Sequence, residues 1–117
     1  MSPGGSHTDA LDLARAVLQG RHAVPARQAA RMAALLGRQA LEGVIGALCG
    51  PELARATMRT RLVYVRVLVD AEIADRAGVA WYGLSNACHH HAYELSPTPG
   101  EVEHLADLVS TLTTESR

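Results

Sequence analysis

The feature that most constrains the fold is a long apolar repeat between Pro25 and the pair Gly50-Pro51. Its apolar residues recur at intervals of three and four, which is the spacing of one face of an α-helix. Proline suits the first turn of a helix, and glycine followed by proline suits its end. We therefore predict a helix from Pro25 to about Cys49. The repeat consists of Ala29, Met32, Ala33, Leu36, Ala40, Val44, Ala47 and Leu48.

Two further helices are predicted on either side of this repeat. Thr8 can cap a first helix that stops at Gly20, because threonine accepts backbone N–H bonds and glycine favours helix ends. The segment from Pro51 to Val69 is interpreted as a third helix, which is apolar on most sides from Met58 onward. A helix that is apolar nearly all round is usually central. We therefore expect the third helix to lie in the middle of the fold.

The last two predicted helices have the clearest starts. Asp70 can cap a fourth helix, from Ala71 to about Ala92. The segment Thr98-Pro99-Gly100-Glu101 is a capping box with proline at the first helical position, and it begins a fifth helix. The predicted buried stripe of the fifth helix is Val102, Leu105, Leu108, Val109 and Leu112.

These helices and their short connections predict one all-α domain over residues 7–114, with flexible ends at 1–6 and 115–117. The expected architecture is an antiparallel four-helix bundle with an additional fifth helix. Glycines within the second helix weaken it relative to alanine. We expect Gly43 and Gly46 instead to let a neighbouring helix approach closely.

Composition agrees with this fold and limits the function. The chain of 117 residues is 48% hydrophobic but has no Phe, and its abundant Ala and Leu are strong helix formers. A formal charge of −1 argues against overall electrostatic attraction to nucleic acid or membrane. No apolar run approaches the ~20 residues that span a bilayer, and no signal-peptide pattern is recognised. We therefore expect a cytoplasmic protein without membrane contact.

The most chemically dense stretch runs from Ser85 to Leu95 and holds half of the chain's six histidines. A helical wheel divides it into an inward face and a polar face. The inward face carries Leu84, Cys88, His91 and Leu95. The polar face carries Asn86, His89, His90 and Tyr93. Without further information this is a histidine cluster at a helix end, where the helix dipole favours positive charge.

The order of these residues resembles a known motif. Asn86-x4-His91-x-Tyr93 is similar to the Arg-x4-6-His motif of the HEPN family, and especially to the toxin branch that carries Arg-x4-His-x-Tyr. The run from Ala33 to Ile45, which contains Gln39-Ala40-Leu41-Glu42, resembles the second helix of HEPN domains. The resemblance covers the second and fourth predicted helices. It implies a helical bundle that acts in RNA binding or metal-independent RNA cleavage, with no cofactor.

The resemblance also implies roles for single residues. His91 would act near the RNA 2′-hydroxyl, and Tyr93 would be a target of nucleotide transfer from a partner nucleotidyltransferase antitoxin. The family's motif arginine is Asn86 here, which can bind phosphate but supplies no charge for phosphoryl transfer. Either another arginine substitutes or the chain does not cleave RNA. The motif spacing selects His91 and the helical wheel selects His90, so both stay candidates.

Arginines elsewhere offer that missing charge. Arg55, Arg59 and Arg66 lie within about 40° of each other on a helical wheel, where they can meet phosphates together with His89. The alternative is a solvated face paired with acidic residues. No metal site is predicted, because Cys88 and His91 form the only pair with recognised ligand spacing.

The competing interpretation is a non-enzymatic protein-interaction module. Trp81 and Tyr82 are neighbours on one helix and cannot both point into one core, so one of them is free for a partner surface. We therefore expect a homodimer formed through the faces near the fourth helix. RNA and a partner protein remain further expected ligands.

Overall fold

The structure, a computed structural model, describes residues 5–88 and 98–115, and the side chains of residues 9–25, 28–88 and 98–113. Over these residues the chain is helical and has no strand, which confirms the predicted all-α fold. The helices are α1 (Gly5–Leu18), α2 (Ala26–Cys49), α3 (Met58–Leu68), α4 (Ala71–Cys88) and α5 (Pro99–Glu115), with a short 3-10 turn at Pro51–Leu53.

Helix α2 is the centre of the bundle and contacts each of the other α-helices. Helices α1 and α4 both pack on α2 and on α5, so these four helices form the bundle. Helix α3 is the additional helix and packs mainly on α4 and α2. The pairing of α2 with α4 is antiparallel, because Arg31 contacts Cys88 and Gly37, further along α2, contacts Leu84.

The core combines many alanines with a few large aliphatic side chains. Small side chains on α2, such as Ala30, Ala33 and Ala34, are completely buried and let neighbouring helices approach its backbone. The largest fully buried side chains are Leu41, Ile45, Leu84, Leu112, Val65, Val102 and Val109.

Two helix starts are those that the sequence predicts. The Asp70 carboxylate accepts the backbone N–H of Glu72 at 2.8 Å, and α4 begins at the next residue, Ala71. The Thr98 hydroxyl accepts the N–H of Glu101 at 3.1 Å, and α5 begins at Pro99. Each side-chain oxygen satisfies a backbone donor that the first helical turn leaves without a partner.

The predicted start of the first helix is wrong. Helix α1 begins at Gly5, so Thr8 lies inside it and does not cap it. At the other end, Gly20 has a positive φ of 75°, as expected of a glycine after a helix. The predicted end of this helix is therefore confirmed.

The predicted third helix is also wrong, because Pro51 to Val69 is not one helix. The 3-10 turn ends at Leu53, and α3 begins only at Met58. The Thr57 hydroxyl caps α3 by accepting the N–H of Thr60 at 3.2 Å. The intervening carbonyl groups are satisfied instead by the Arg61 guanidinium, which donates to the carbonyl oxygens of Leu53 and Ala54.

Helix α3 is not central, contrary to the prediction from its apolar sequence. Only Met58 and Val65 are buried in it, and Val67 is 72% exposed. The reason is that α3 packs on one side only, against α4 and α2, and its other side faces solvent.

Close approach between helices occurs at other glycines than Gly46. A Cβ at Gly46 would meet nothing within 4 Å, so the expectation for that residue is wrong. A Cβ at Gly83 would lie 2.8 Å from a methyl carbon of Leu105 on α5, and one at Gly37 would lie 3.3 Å from Leu84. The absence of a side chain is therefore used where α4 meets α5 and α2.

One segment is longer and more apolar than the sequence analysis predicts. Gln28–Cys49 is long and apolar enough to cross a bilayer by length and composition alone. The same segment is most of α2, whose apolar side chains pack against the rest of the bundle. The central helix of a bundle needs this composition, since it has neighbours on several sides.

Candidate functional site

A group of exposed apolar side chains lies where α3 and α4 pack side by side. The two helices run antiparallel, since Val69 and Asp70 alone connect them. A groove of about 260 Å³ separates their exposed sides. We call this surface the α3–α4 face and define it by Arg59, Val63, Val67, Asp75, Val79 and Tyr82.

The apolar side chains of the α3–α4 face are exposed and adjacent. Val63, Val79 and Tyr82 line the same groove and are 57%, 60% and 63% exposed. Val67 lies one helical turn beyond Val63, so it extends the same surface. Single exposed apolar side chains are common on proteins, whereas contiguous exposed groups are more typical of interaction surfaces.

Charged residues flank the apolar side chains. Arg66 forms an ion pair with Asp75 across the groove, and more than half of each side chain is exposed. Exposed pairs of this kind contribute little stability. Arg59 lines the same groove, and no ion pair of it occurs among the residues whose side chains are described.

The predicted arginine stripe is only partly formed. Arg59 and Arg66 both lie on α3 and line one groove. Arg55 is exposed but precedes α3, in the link after the 3-10 turn, so it does not share their helix face. His89, the further predicted RNA contact, lies outside the described residues.

The end of α4 carries what the structure describes of the predicted catalytic group. Asn86 is exposed in the last turn of α4, while Leu84 is buried and Cys88 is half-buried. The inward and outward faces predicted for these three residues are therefore confirmed. The remaining members of the predicted group, His90, His91 and Tyr93, lie outside the described residues.

Two arginines that the sequence reading missed lie between α2 and α4. Arg31 donates to the Cys88 carbonyl oxygen at 3.5 Å. The Arg38 guanidinium stacks over the Trp81 ring, 4.4 Å from its centroid. Burial raises the pKa of the Cys88 thiol, although Arg38 and Arg31 oppose this shift. Cys88 is therefore not an activated nucleophile. Arg31 and Arg38 lie near it because α2 and α4 pack antiparallel, and the sequence pattern of either helix alone does not predict this contact.

Trp81 and Tyr82 divide as the sequence predicts. Trp81 is partly buried and packs against the core, whereas Tyr82 is exposed on the α3–α4 face. Because successive residues on a helix point about 100° apart, packing one ring on α2 turns the other towards solvent.

A second groove, of about 670 Å³, follows the C-terminal half of α2 beside the 3-10 turn. Its two charged side chains are already engaged, since Glu42 pairs with Arg38 at 3.5 Å and Arg61 binds backbone carbonyl groups. Gly46 and Gly50 leave its floor open. Across the described part of the chain, no group of three His, Cys, Asp or Glu residues is placed to hold a metal ion.

Comparison with protein-family models gives no match for this chain, and no curated protein or solved structure matches it either. The HEPN resemblance therefore depends on the quoted sequence motifs alone.

Proposed function

We propose that this chain is a non-enzymatic protein-interaction module that docks another protein through the α3–α4 face. The observation that supports this function is that Val63, Val79 and Tyr82 line one groove and are all exposed, with the exposed Val67 one helical turn from Val63. An apolar centre with a charged rim is the usual anatomy of a protein interface.

The energetic argument favours a protein as the ligand. Full burial of a valine-sized side chain contributes roughly 1.5–3 kcal/mol, so a few such residues can drive association. Tyr82 adds a ring that keeps its hydroxyl available at the edge, a property that enriches tyrosine at interfaces. Phosphate groups would gain nothing from the valines, whereas an apolar protein surface would.

Photo-crosslinking in cells tests this function. A photoreactive phenylalanine analogue is placed at Val67, and at Leu35 in a control chain. Leu35 is an exposed residue of α2, 48% accessible, outside the α3–α4 face. We expect discrete protein adducts from position 67 and none from position 35, identified by mass spectrometry. RNA adducts from position 67, or equal labelling from both positions, would contradict the proposal.

A second candidate function is the RNA-directed activity implied by the HEPN resemblance. Arg31 supports it, because its guanidinium lies at the end of α4, next in sequence to the histidine cluster, and is exposed. This arginine can supply the positive charge that Asn86 lacks. His91 or His90 would then be the acid–base group, with Tyr93 as a modification site.

Purified protein and a broad RNA panel test the second candidate. We expect His91→Ala or His90→Ala to lower cleavage by ~10²–10⁴, and Arg31→Gln to weaken it more than the control Arg55→Gln. Products would carry 2′,3′-cyclic phosphate ends. Cys88→Ala should alter stability alone. RNA that stays intact with and without divalent metal would exclude this activity.

A further inference from the structure

We infer that the partner at the α3–α4 face is a second copy of this chain, docked antiparallel about a two-fold axis, with Arg59 of each copy beside the acidic end of the other. This inference rests on the proposed function and names its partner. It is carried by the distribution of charge along the face.

The two ends of the α3–α4 face differ in charge: at one end three carboxylates outnumber Arg66 and Arg76, and at the other end lies Arg59. Because α3 and α4 are antiparallel, Asp70, Glu72 and Asp75 all lie at the end where the helices connect. The carboxylate side chains of Glu72 and Asp75 are 79% and 61% exposed. Arg59, one residue after the start of α3, lies at the opposite end of the groove, beside Tyr82.

The spacing along α4 continues this pattern as one stripe. Glu72, Asp75, Val79 and Tyr82 follow at steps of three, four and three, which keeps them on one side of the helix. The stripe therefore runs from acidic, through apolar, to the position that Arg59 flanks. A partner that fits it should be basic where this chain is acidic and apolar in the middle.

The face itself meets these requirements when it is turned end for end. A two-fold interface brings the same patch together from both copies, so each contact occurs twice. With the axis near Val63 and Val79, the valines of both copies meet at the centre. Arg59 then lies at the end of the other copy where Asp70, Glu72 and Asp75 outnumber Arg66 and Arg76. A parallel arrangement would instead place like charges together, which is unfavourable.

The existing ion pairs leave room for these contacts. Arg66 bonds one oxygen of Asp75, Oδ1, and a carboxylate can accept from two guanidinium groups. Glu72 pairs with Arg76 at 3.5 Å but remains exposed. The same carboxylates would repel the phosphates of RNA, which is a reason to prefer a second copy over RNA at this surface.

Sedimentation velocity on the purified full chain across a micromolar concentration series tests the inference. We expect wild type to dimerise and Val79→Asp to be monomeric, while the control Leu35→Asp dimerises like wild type. Arg59→Asp alone and Asp75→Arg alone should each weaken the dimer about tenfold or more. The double variant Arg59→Asp with Asp75→Arg should recover most of the wild-type affinity. Circular dichroism checks that each variant is folded.

The outcomes separate this inference from the proposed function. If Val79→Asp dissociates the dimer but the double charge variant does not recover it, the antiparallel arrangement is overturned and the docking face stands. If wild type is monomeric at tens of micromolar while position 67 crosslinks a different protein, the second copy is overturned and the function stands. A dimer that Val79→Asp and Leu35→Asp affect equally overturns both.

Discussion

Helices α2 and α3 pack against each other, yet the helix with the smaller side chains is the more buried one. Helix α2 presents many alanines and glycines and is the buried centre of the bundle. Helix α3 carries larger and often β-branched side chains, and only Met58 and Val65 are buried in it. The comparison teaches that the number of neighbouring helices, and not the apolar character of a helix, decides how much of it is buried.

The length of each helix explains part of the difference. Helix α2 has 24 residues and α3 has 11, so at a rise of about 1.5 Å per residue α2 is roughly twice as long. A long helix with small side chains can contact several partners along its length. A short helix with large side chains covers one groove and leaves its other side free.

The largest expected effect contrasts one leucine of α2 with one valine of α3. Leu41 is completely buried, so Leu41→Ala should lower the free energy of unfolding by about 2–5 kcal/mol through lost burial and a cavity. Val67→Ala should change it by no more than about 0.5 kcal/mol. Urea unfolding at low micromolar concentration measures both. Similar losses for the two variants would break the comparison.

Glycine substitutions test which sides of the helices are truly packed. Gly83→Ala brings a Cβ to 2.8 Å from a Leu105 methyl group, so the half-buried Leu105 side chain must shift and the strain offsets the gain in helix propensity. Gly46→Ala meets open space and should raise the free energy of unfolding by about 0.5–1 kcal/mol. Thermal unfolding should show the larger gain for Gly46→Ala, and an equal gain for Gly83→Ala would contradict the close contact of α4 with α5.

Helix α3 should depend on its cap more than its apolar sequence suggests. Thr57→Ala removes the hydroxyl that accepts the Thr60 N–H and should cost about 1 kcal/mol. Thr60→Ala is the matched control, because it keeps that N–H and its acceptor and removes only the bond that the Thr57 hydroxyl donates to the Thr60 hydroxyl at 3.2 Å. Urea unfolding should separate the two variants, and an equal cost would show that the cap does not hold the start of α3.

The smallest effect concerns alkaline pH at the end of α2. Burial raises the pKa of the Cys49 thiol, with Arg61 opposing, and the thiol donates to the Arg61 carbonyl oxygen at 3.6 Å. The unfolded chain therefore loses this proton first, so the stabilisation is complete below the usual thiol pKa of about 8.5 and is lost as pH rises through the folded value. The free energy of unfolding should fall less steeply above pH ~8.5 in Cys49→Ala than in wild type, by urea unfolding across pH.

Local sequence signals correctly predict the helix ends at Asp70, Thr98 and Gly20. The same kind of signal failed at Thr8, where α1 starts earlier, and at Pro51, where Arg61 supports a 3-10 turn instead of a helix. A cap is chosen by side-chain and backbone contacts within three or four residues. A hydrogen bond from a residue further along the chain, such as Arg61, can stabilise a different local structure instead.

The candidate site divides in the same way. The exposure of Asn86 and the separation of Trp81 from Tyr82 follow from helical spacing, so the sequence predicted them. Arg31 and Cys88 are in contact although they are 57 positions apart. The spacing of apolar residues within one helix cannot predict a contact between two helices. The α3–α4 face does not follow from the sequence either, because the apolar pattern of α3 predicts a central, buried helix.

The helical character of the chain follows from its sequence, because helix formation depends on spacing, capping and propensity over a few residues. Tertiary packing places α2 at the centre and α3 at the periphery, packs Gly83 but not Gly46, and leaves valines of α3 and α4 in solvent. The hydrophobic effect favours burial of any apolar side chain without regard to direction. Which of them are buried depends on how many helices can reach each one, and that is a property of the assembled bundle.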